Sequence, residues 1–252
     1  LVICGTTGES PTLTFEEKRD LLGAVVESVR GRAQVIAGTG TYSTKESIEL
    51  SEMAAEAGAH GLLLVTPYYS KPPQSGLLEH FTSIAQSVEL PVIVYDIPGR
   101  TAKKIEHATL VALARVPNII GVKDAAGDPA GTAKLAAEAP SFTIWSGDDA
   151  LTLPMLAVGA QGVVSVASHL VGDRIAEMIA AHGKGDVEHA AAIDHELRPL
   201  FEVLFITASP IPLKAALEMV GLPAGPLRLP LVGATKEERD QVARVLKKLG
   251  LT

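Results

Sequence analysis

Gly61-Leu62-Leu63-Leu64-Val65-Thr66 is a short run apolar on both faces, and Pro91-Val92-Ile93-Val94-Tyr95 is a second one thirty residues on. Between them Leu77, Leu78, Phe81, Ile84, Ala85 and Val88 recur at helical spacing and form one apolar stripe. A strand, a helix and a strand, with no polar face on either strand, is the pattern of a parallel sheet covered by helices. The same alternation extends in both directions. Strands are expected at 1–4, 34–38, 61–66, 91–95, 119–123, 142–146 and 162–166, each short and rich in Val, Ile or Leu.

The helix signals agree. Thr14-Phe15-Glu16-Glu17 reads as a capping box, and Ser43-Thr44-Lys45-Glu46 as a second, with Gly58 as the stop of the helix it opens. Asp128-Pro129 reads as an N-cap with proline at the first helical position. Seven such β-then-α units predict a (β/α)8 barrel or a doubly wound open sheet. No Gly-x-Gly-x-x-Gly follows a strand, which removes the dinucleotide fingerprint of the open-sheet class. Beyond Asp186 the strands stop, and helices are expected at 187–206, 211–220 and 235–249. The expected organisation is a catalytic barrel over 1–185 and a helical C-terminal domain over 186–252.

Composition narrows the class. The 252 residues are 47% hydrophobic and 20% charged, ample for a large core, and the formal charge of −7 with scattered basic residues argues against nucleic-acid binding. The single cysteine, Cys4, lies in an apolar start and excludes an internal disulfide, as in a reducing cytoplasm. No apolar run approaches the ~20 residues of a membrane span. The histidines show no metal-ligand spacing, and no Ser-His-Asp arrangement stands out.

The polar, glycine-rich clusters follow strand ends, where barrel enzymes keep their sites. Lys123 closes the apolar run ending Ile119-Ile120-Gly121-Val122. A desolvated lysine loses its proton readily and becomes an imine-forming nucleophile; the alternative is a strand-end lysine that reaches water or pairs with Asp124. Gly5-Thr6-Thr7-Gly8-Glu9-Ser10 offers hydroxyls and amides as a small anion nest, or is an ordinary polar turn. Tyr95 can act as a general acid/base and Arg100 can clamp a carboxylate, or they are a packed phenol and a solvated cation. Tyr68 and Tyr69 sit in a proline-bounded loop that suits an interface. Ser146-Gly147-Asp148-Asp149 is a glycine turn in which Asp149 can cap a helix.

Together these segments resemble the dihydrodipicolinate synthase family, pyruvate-dependent Schiff-base lyases on a (β/α)8 barrel. The markers are Gly5–Ser10, Thr66-Pro67-Tyr68-Tyr69, Tyr95-Asp96-Ile97-Pro98-Gly99-Arg100, Gly121-Val122-Lys123-Asp124, Ser146-Gly147-Asp148-Asp149 and Gly162-Val163-Val164-Ser165-Val166, and the likeness spans the chain. Thr6 and Arg100 favour the synthase over the sugar-acid aldolases of the superfamily. A (β/α)8 TIM barrel lacking its first βα unit is then implied, with a C-terminal three-helix appendage. Such a barrel, with two exposed sheet edges, is expected to be unstable or inactive alone.

The resemblance implies condensation of pyruvate with aspartate 4-semialdehyde, on the route to diaminopimelate and lysine, with no metal or organic cofactor. Lys123 forms the pyruvate imine. Tyr95 shuttles protons through Thr7 to Tyr69, which the family supplies from a neighbouring subunit of a dimer of dimers. Thr6 and Thr7 hold the pyruvate carboxylate, Arg100 that of the semialdehyde, and Gly147 and Val164 shape the pyruvate pocket. Ser10, Glu46 and Tyr68 match the family's lysine-inhibition cleft, whereas Pro11, Phe15, Lys18 and Tyr42 depart from it, so lysine feedback is expected to be weak or absent. Two other readings stay open: another pyruvate-type aldolase, and a non-catalytic keto-acid-binding relative.

Overall fold

The computed structural model describes residues 1–252. One sheet holds seven strands: β1 (Val2–Ile3), β2 (Ile36–Gly38), β3 (Gly61–Val65), β4 (Val92–Asp96), β5 (Ile119–Asp124), β6 (Thr143–Ser146) and β7 (Gly162–Val163). They stand in chain order and every neighbouring pair is parallel. A doubly wound sheet reverses its strand order at a switch point. Strictly sequential order instead follows the (β/α) barrel. The connections are α1 (Phe15–Val29), α2 (Thr44–Glu56), α3 (Gln74–Gln86), α4 (Pro98–Thr101) with α5 (His107–Leu113), α6 (Pro129–Glu138) and α7 (Thr152–Leu156). After β7 come α8 (Ser168–Gly183), α9 (Val187–Val203), α10 (Ile211–Met219) and α11 (Lys236–Lys248).

Strand alternation divides the core in two. Leu63, Ile93 and Tyr95 pack on the inner side with Val2, Ile36, Val65 and Trp145. Leu62, Leu64, Val92, Val94, Val122 and Ile144 alternate with them and are buried, as are Leu22, Leu77, Phe81, Ile84 and Leu135 on the covering helices. Strands apolar on both faces follow from this double burial. At Gly38 the neighbouring chain comes so close that a Cβ would lie 2.3 Å from the Cys4 carbonyl oxygen. Cys4 itself is buried, with φ at 58°, and burial pushes its thiol up.

Thr14 forms the full capping box with Glu17. Ser43 accepts from the Glu46 amide, but its own amide donates to Thr41 Oγ1, which also donates to Glu46 Oε2. Thr41 therefore takes the reciprocal half of the expected second box. Asp128 caps α6 through the Gly131 amide, as the sequence predicts. The strand expected at 162–166 ends at Val163. Its continuation is diverted because the Val166 and Ala167 amides donate to Asp149 Oδ2. Asp148, one residue earlier than expected, caps the 3-10 turn at 149–151.

The chain packs as two compact units, Leu1–Gly147 with Val158–Val164, and Asp148–Ala157 with Ser165–Thr252. The first contains the sheet. In the second, α8 packs on α7 and α9, and α11 on α9 and α10. The boundary expected at 185/186 follows element type, whereas packing groups α7 and α8 with the tail helices. The tail helices themselves fall where the hydrophobic pattern places them. No helix is long and apolar enough to cross a membrane.

Candidate active site

The registers of β4, β5 and β6 bring Tyr95, Lys123 and Trp145 side by side. Lys123 Nζ stands 4.1 Å from the centroid of the Tyr95 ring, over its electron-rich face. The pairing of Lys123 with Asp124 is not what forms. Asp124 alternates to the outer face, where its Oδ1 accepts from the Ala126 amide at 2.9 Å and its Oδ2 from Thr132 Oγ1 at 3.0 Å. Gly147 explains the room that the lysine has. A Cβ there would lie 2.8 Å from Ala125 Cβ and 3.1 Å from Lys123 Cε. Its amide donates to the Asp124 carbonyl at 2.7 Å, so the glycine is held against β5 beside the lysine stem.

Tyr95 is buried, and burial pushes its phenol up to about 12; Arg100 and a hydrogen bond with Thr6 act the other way. The threonine that meets Tyr95 is thus Thr6, one residue before the expected Thr7. In the Gly5–Ser10 loop the Gly8 and Ser10 amides donate to the Gly5 carbonyl and the Glu9 amide to that of Thr6. The Thr6 and Thr7 amides take no part in these turn bonds. That leaves the loop the donors an anion nest requires.

Arg100 lies in α4, directly after β4, and its residue is exposed. Its proline-initiated turn is fixed by Thr101, whose Oγ1 donates to the carbonyls of Ile97 at 3.1 Å and Lys103 at 2.9 Å. Thr66 ties the next loop to the same strand: its amide and its Oγ1 both donate to the Tyr95 carbonyl at 2.9 Å. Three residues on, Tyr69 is 93% exposed with φ at 71°, an uncommon conformation for a bulky side chain. Val164 donates its amide to the Ser146 carbonyl at 2.9 Å, beyond the end of β7. Thr6, Tyr95, Arg100, Lys123 and Gly147 are therefore linked by contact or charge, whereas Thr7, Tyr69 and Val164 enter through their loops.

The expected cleft residues are spread by burial. Lys18 is buried, while Phe15 and Tyr42 are exposed, and the Tyr42 and Tyr68 rings meet edge-on at 5.4 Å. A cavity of about 590 Å³ lies within the second unit, lined by Ile211, Lys214, Glu218, Leu222 and Arg239 among others, and holds none of the expected site residues. No three His, Cys, Asp or Glu side chains gather as a metal site. Sequence reasoning missed Asp96 as a buried carboxyl beside Asp124; the alternation Tyr95-Asp96 against Lys123-Asp124 was the available signal.

A lysine over a phenol, at the C-terminal ends of sequential parallel strands, is the layout of the barrel lyases that work through a lysine imine. The comparisons with known proteins agree. The model of the "Dihydrodipicolinate synthetase family" matches residues 1–249. The 4-hydroxy-tetrahydrodipicolinate synthase of Moorella thermoacetica is 53% identical over all of this chain and 86% of its own length. Among solved structures, dihydrodipicolinate synthase from Aquifex aeolicus superposes with a TM-score of 0.97 at 43% identity, covering 99% of this chain and 86% of that one. The lysine-bound enzyme of Cyanidioschyzon merolae gives 0.97 at 43%, covering 100% and 86%. The chain belongs to the dihydrodipicolinate synthetase family, whose enzymes are Schiff-base lyases that need no external cofactor.

Proposed function

We propose that this chain condenses pyruvate with aspartate 4-semialdehyde through an imine on Lys123, as a cytoplasmic enzyme of lysine biosynthesis. The observation that carries the reading is the Lys123 amine over the Tyr95 ring, beside the space that Gly147 leaves. The amine attacks the pyruvate ketone. Tyr95, its phenol held protonated by burial, gives a proton to the departing hydroxyl. The phenolate so formed lies in the field of Arg100 and beside the Thr6 hydroxyl. Loss of a methyl proton then yields the enamine, whose carbon attacks the aldehyde; the substrate amine closes the ring and releases Lys123.

The Thr6 and Thr7 amides and hydroxyls hold the pyruvate carboxylate, Val164 and Gly147 border it, and Arg100 takes the carboxylate of the semialdehyde. The proton path runs from Tyr95 through the threonine pair, with Thr6 as the first member. Tyr69, exposed on a loop anchored to the Tyr95 carbonyl, completes the path in a neighbouring subunit of a dimer of dimers. Catalysis resides in 1–185, with 186–252 as a helical domain. Lysine feedback is weak or absent, since Lys18, at a position that lines the family's inhibition cleft, would repel a cationic effector.

Borohydride reduction with pyruvate tests the reading directly. A reduced pyruvyl adduct is expected at Lys123, and its absence there overturns the assignment. Arg100→Ala is expected to cripple use of the semialdehyde while the pyruvate adduct still forms. Equal loss with both substrates would give Arg100 another role, and turnover of sugar acids in place of the semialdehyde would favour the aldolase reading.

A further inference from the structure

Asp96 and Asp124 are registered partners on β4 and β5, one residue past the Tyr95 and Lys123 pair. They share the outer face of the sheet, and Asp96 is 1% and Asp124 9% exposed. Two carboxylates buried side by side cannot both ionise at low cost. The hydrogen bonds distinguish them. Both oxygens of Asp124 accept, from the Ala126 amide and from Thr132 Oγ1. Asp96 accepts through Oδ1 alone, from the Ile105 amide at 3.1 Å, which leaves Oδ2 to carry a proton.

That single bond spans the loop of Arg100. Residues 97–105 leave the end of β4, form the α4 turn with Arg100 in it, and return to β4 where the Ile105 amide meets Asp96. Ile105 is fully buried, so its amide has no water to turn to if Asp96 is removed. The other charges facing the pair are few. Lys104, next to Ile105, forms a 3.1 Å ion pair with Asp128 at the head of α6 and favours a charged Asp96. His107 on α5 is taken by Glu138 of α6 at 2.8 Å.

We propose that Asp96 is a positioning residue of the condensation, kept as a protonated carboxyl beside Asp124 and holding, through Ile105, the loop that presents Arg100 to the semialdehyde. The proposal rests on the function assigned above to Arg100. Burial, then the Asp124 charge, raise the Asp96 carboxyl from 3.8 to about 7, against the Ile105 and Lys104 contributions. The native state therefore binds a proton that the unfolded chain releases. This contribution to stability is fully present below the ordinary carboxylate range and is lost as pH rises to about 7.

Two variants test it in the full chain. Asp96→Asn keeps an acceptor for Ile105 and cannot ionise. Its thermal midpoint is expected to match the wild type in acid and to exceed it at pH 8; parallel midpoint curves across this range overturn the proton kept on Asp96. Asp96→Ala removes the acceptor. Loss of one such bond is expected to raise the semialdehyde KM about tenfold, while borohydride trapping of pyruvate on Lys123 proceeds at the wild-type rate. An unchanged semialdehyde KM, or equal loss in trapping and in KM, overturns the positioning role. Should Asp96→Ala not fold, Asp96→Leu, close to aspartate in shape and without an acceptor for the Ile105 amide, decides the same comparison. Failure of wild-type trapping would instead sink the function, so the two failures are distinct.

Discussion

One residue separates two opposed environments on β4 and β5. On the inner face Tyr95 and Lys123 meet as phenol and amine; on the outer face Asp96 and Asp124 meet as a pair of carboxyls. Neither face is wholly apolar, yet the polar groups differ in what satisfies them. The outer pair is bound to fixed protein donors, the amides of Ile105 and Ala126 and the hydroxyl of Thr132. The inner pair borders the space Gly147 keeps open, so its groups are placed to act on something that arrives. The difference teaches that the two periods of one strand divide the labour, with chemistry inside and scaffolding outside.

Substitutions should separate these roles. The largest effect is expected from Lys123→Ala, with turnover reduced at least about 10⁴-fold, as on loss of other covalent nucleophiles, and a melting curve close to wild type. A variant that kept turnover would break the inner half of the comparison. Tyr95→Phe removes the hydroxyl alone and is expected to slow adduct formation by about 10²–10⁴-fold. That is measured as the rate of borohydride trapping, and an unaltered rate would leave Tyr95 as packing only. Leu64→Ala acts on the outer face, where the side chain is 0% exposed. A stability loss of about 2–5 kcal/mol in denaturant titration is expected, with kcat/KM of the folded enzyme preserved; a kinetic loss would blur the division. Gly147→Ala should cost about 1–3 kcal/mol by overpacking, together with slower trapping, because the added methyl presses on the lysine stem. If only stability changed, Gly147 would serve the scaffold rather than the site.

Much of this was legible in the residues. Strands such as Gly61–Val65 announce themselves because burial on both faces removes every polar alternation. Thr14 and Asp128 mark helix starts because their side chains bond locally, and local bonds are written in local sequence. Lys123, Tyr95, Gly147 and Arg100 were visible as unusual residues at strand ends. What escaped depended on distant partners. Nothing adjacent to Thr6 or Thr7 says which hydroxyl meets Tyr95, since β1 and β4 are far apart in the chain. The early end of β7 is set by Asp149, whose carboxylate takes the Val166 and Ala167 amides. The burial of Asp96 needs the register of β4 on β5, which alternation suggests but does not fix.

Gly38 carries a consequence for reading mutational tolerance as a map of function. Any side chain there would be driven into the Cys4 carbonyl oxygen, 2.3 Å from where its first carbon must sit. Cys4 in turn leads directly into the Gly5–Ser10 loop. A substitution scan would mark Gly38 as intolerant as the residues of the reaction, although it touches no substrate. Its intolerance would record a clearance between two stretches of main chain, and a chemist ranking positions by lost activity alone would mistake an interval of empty space for a participant.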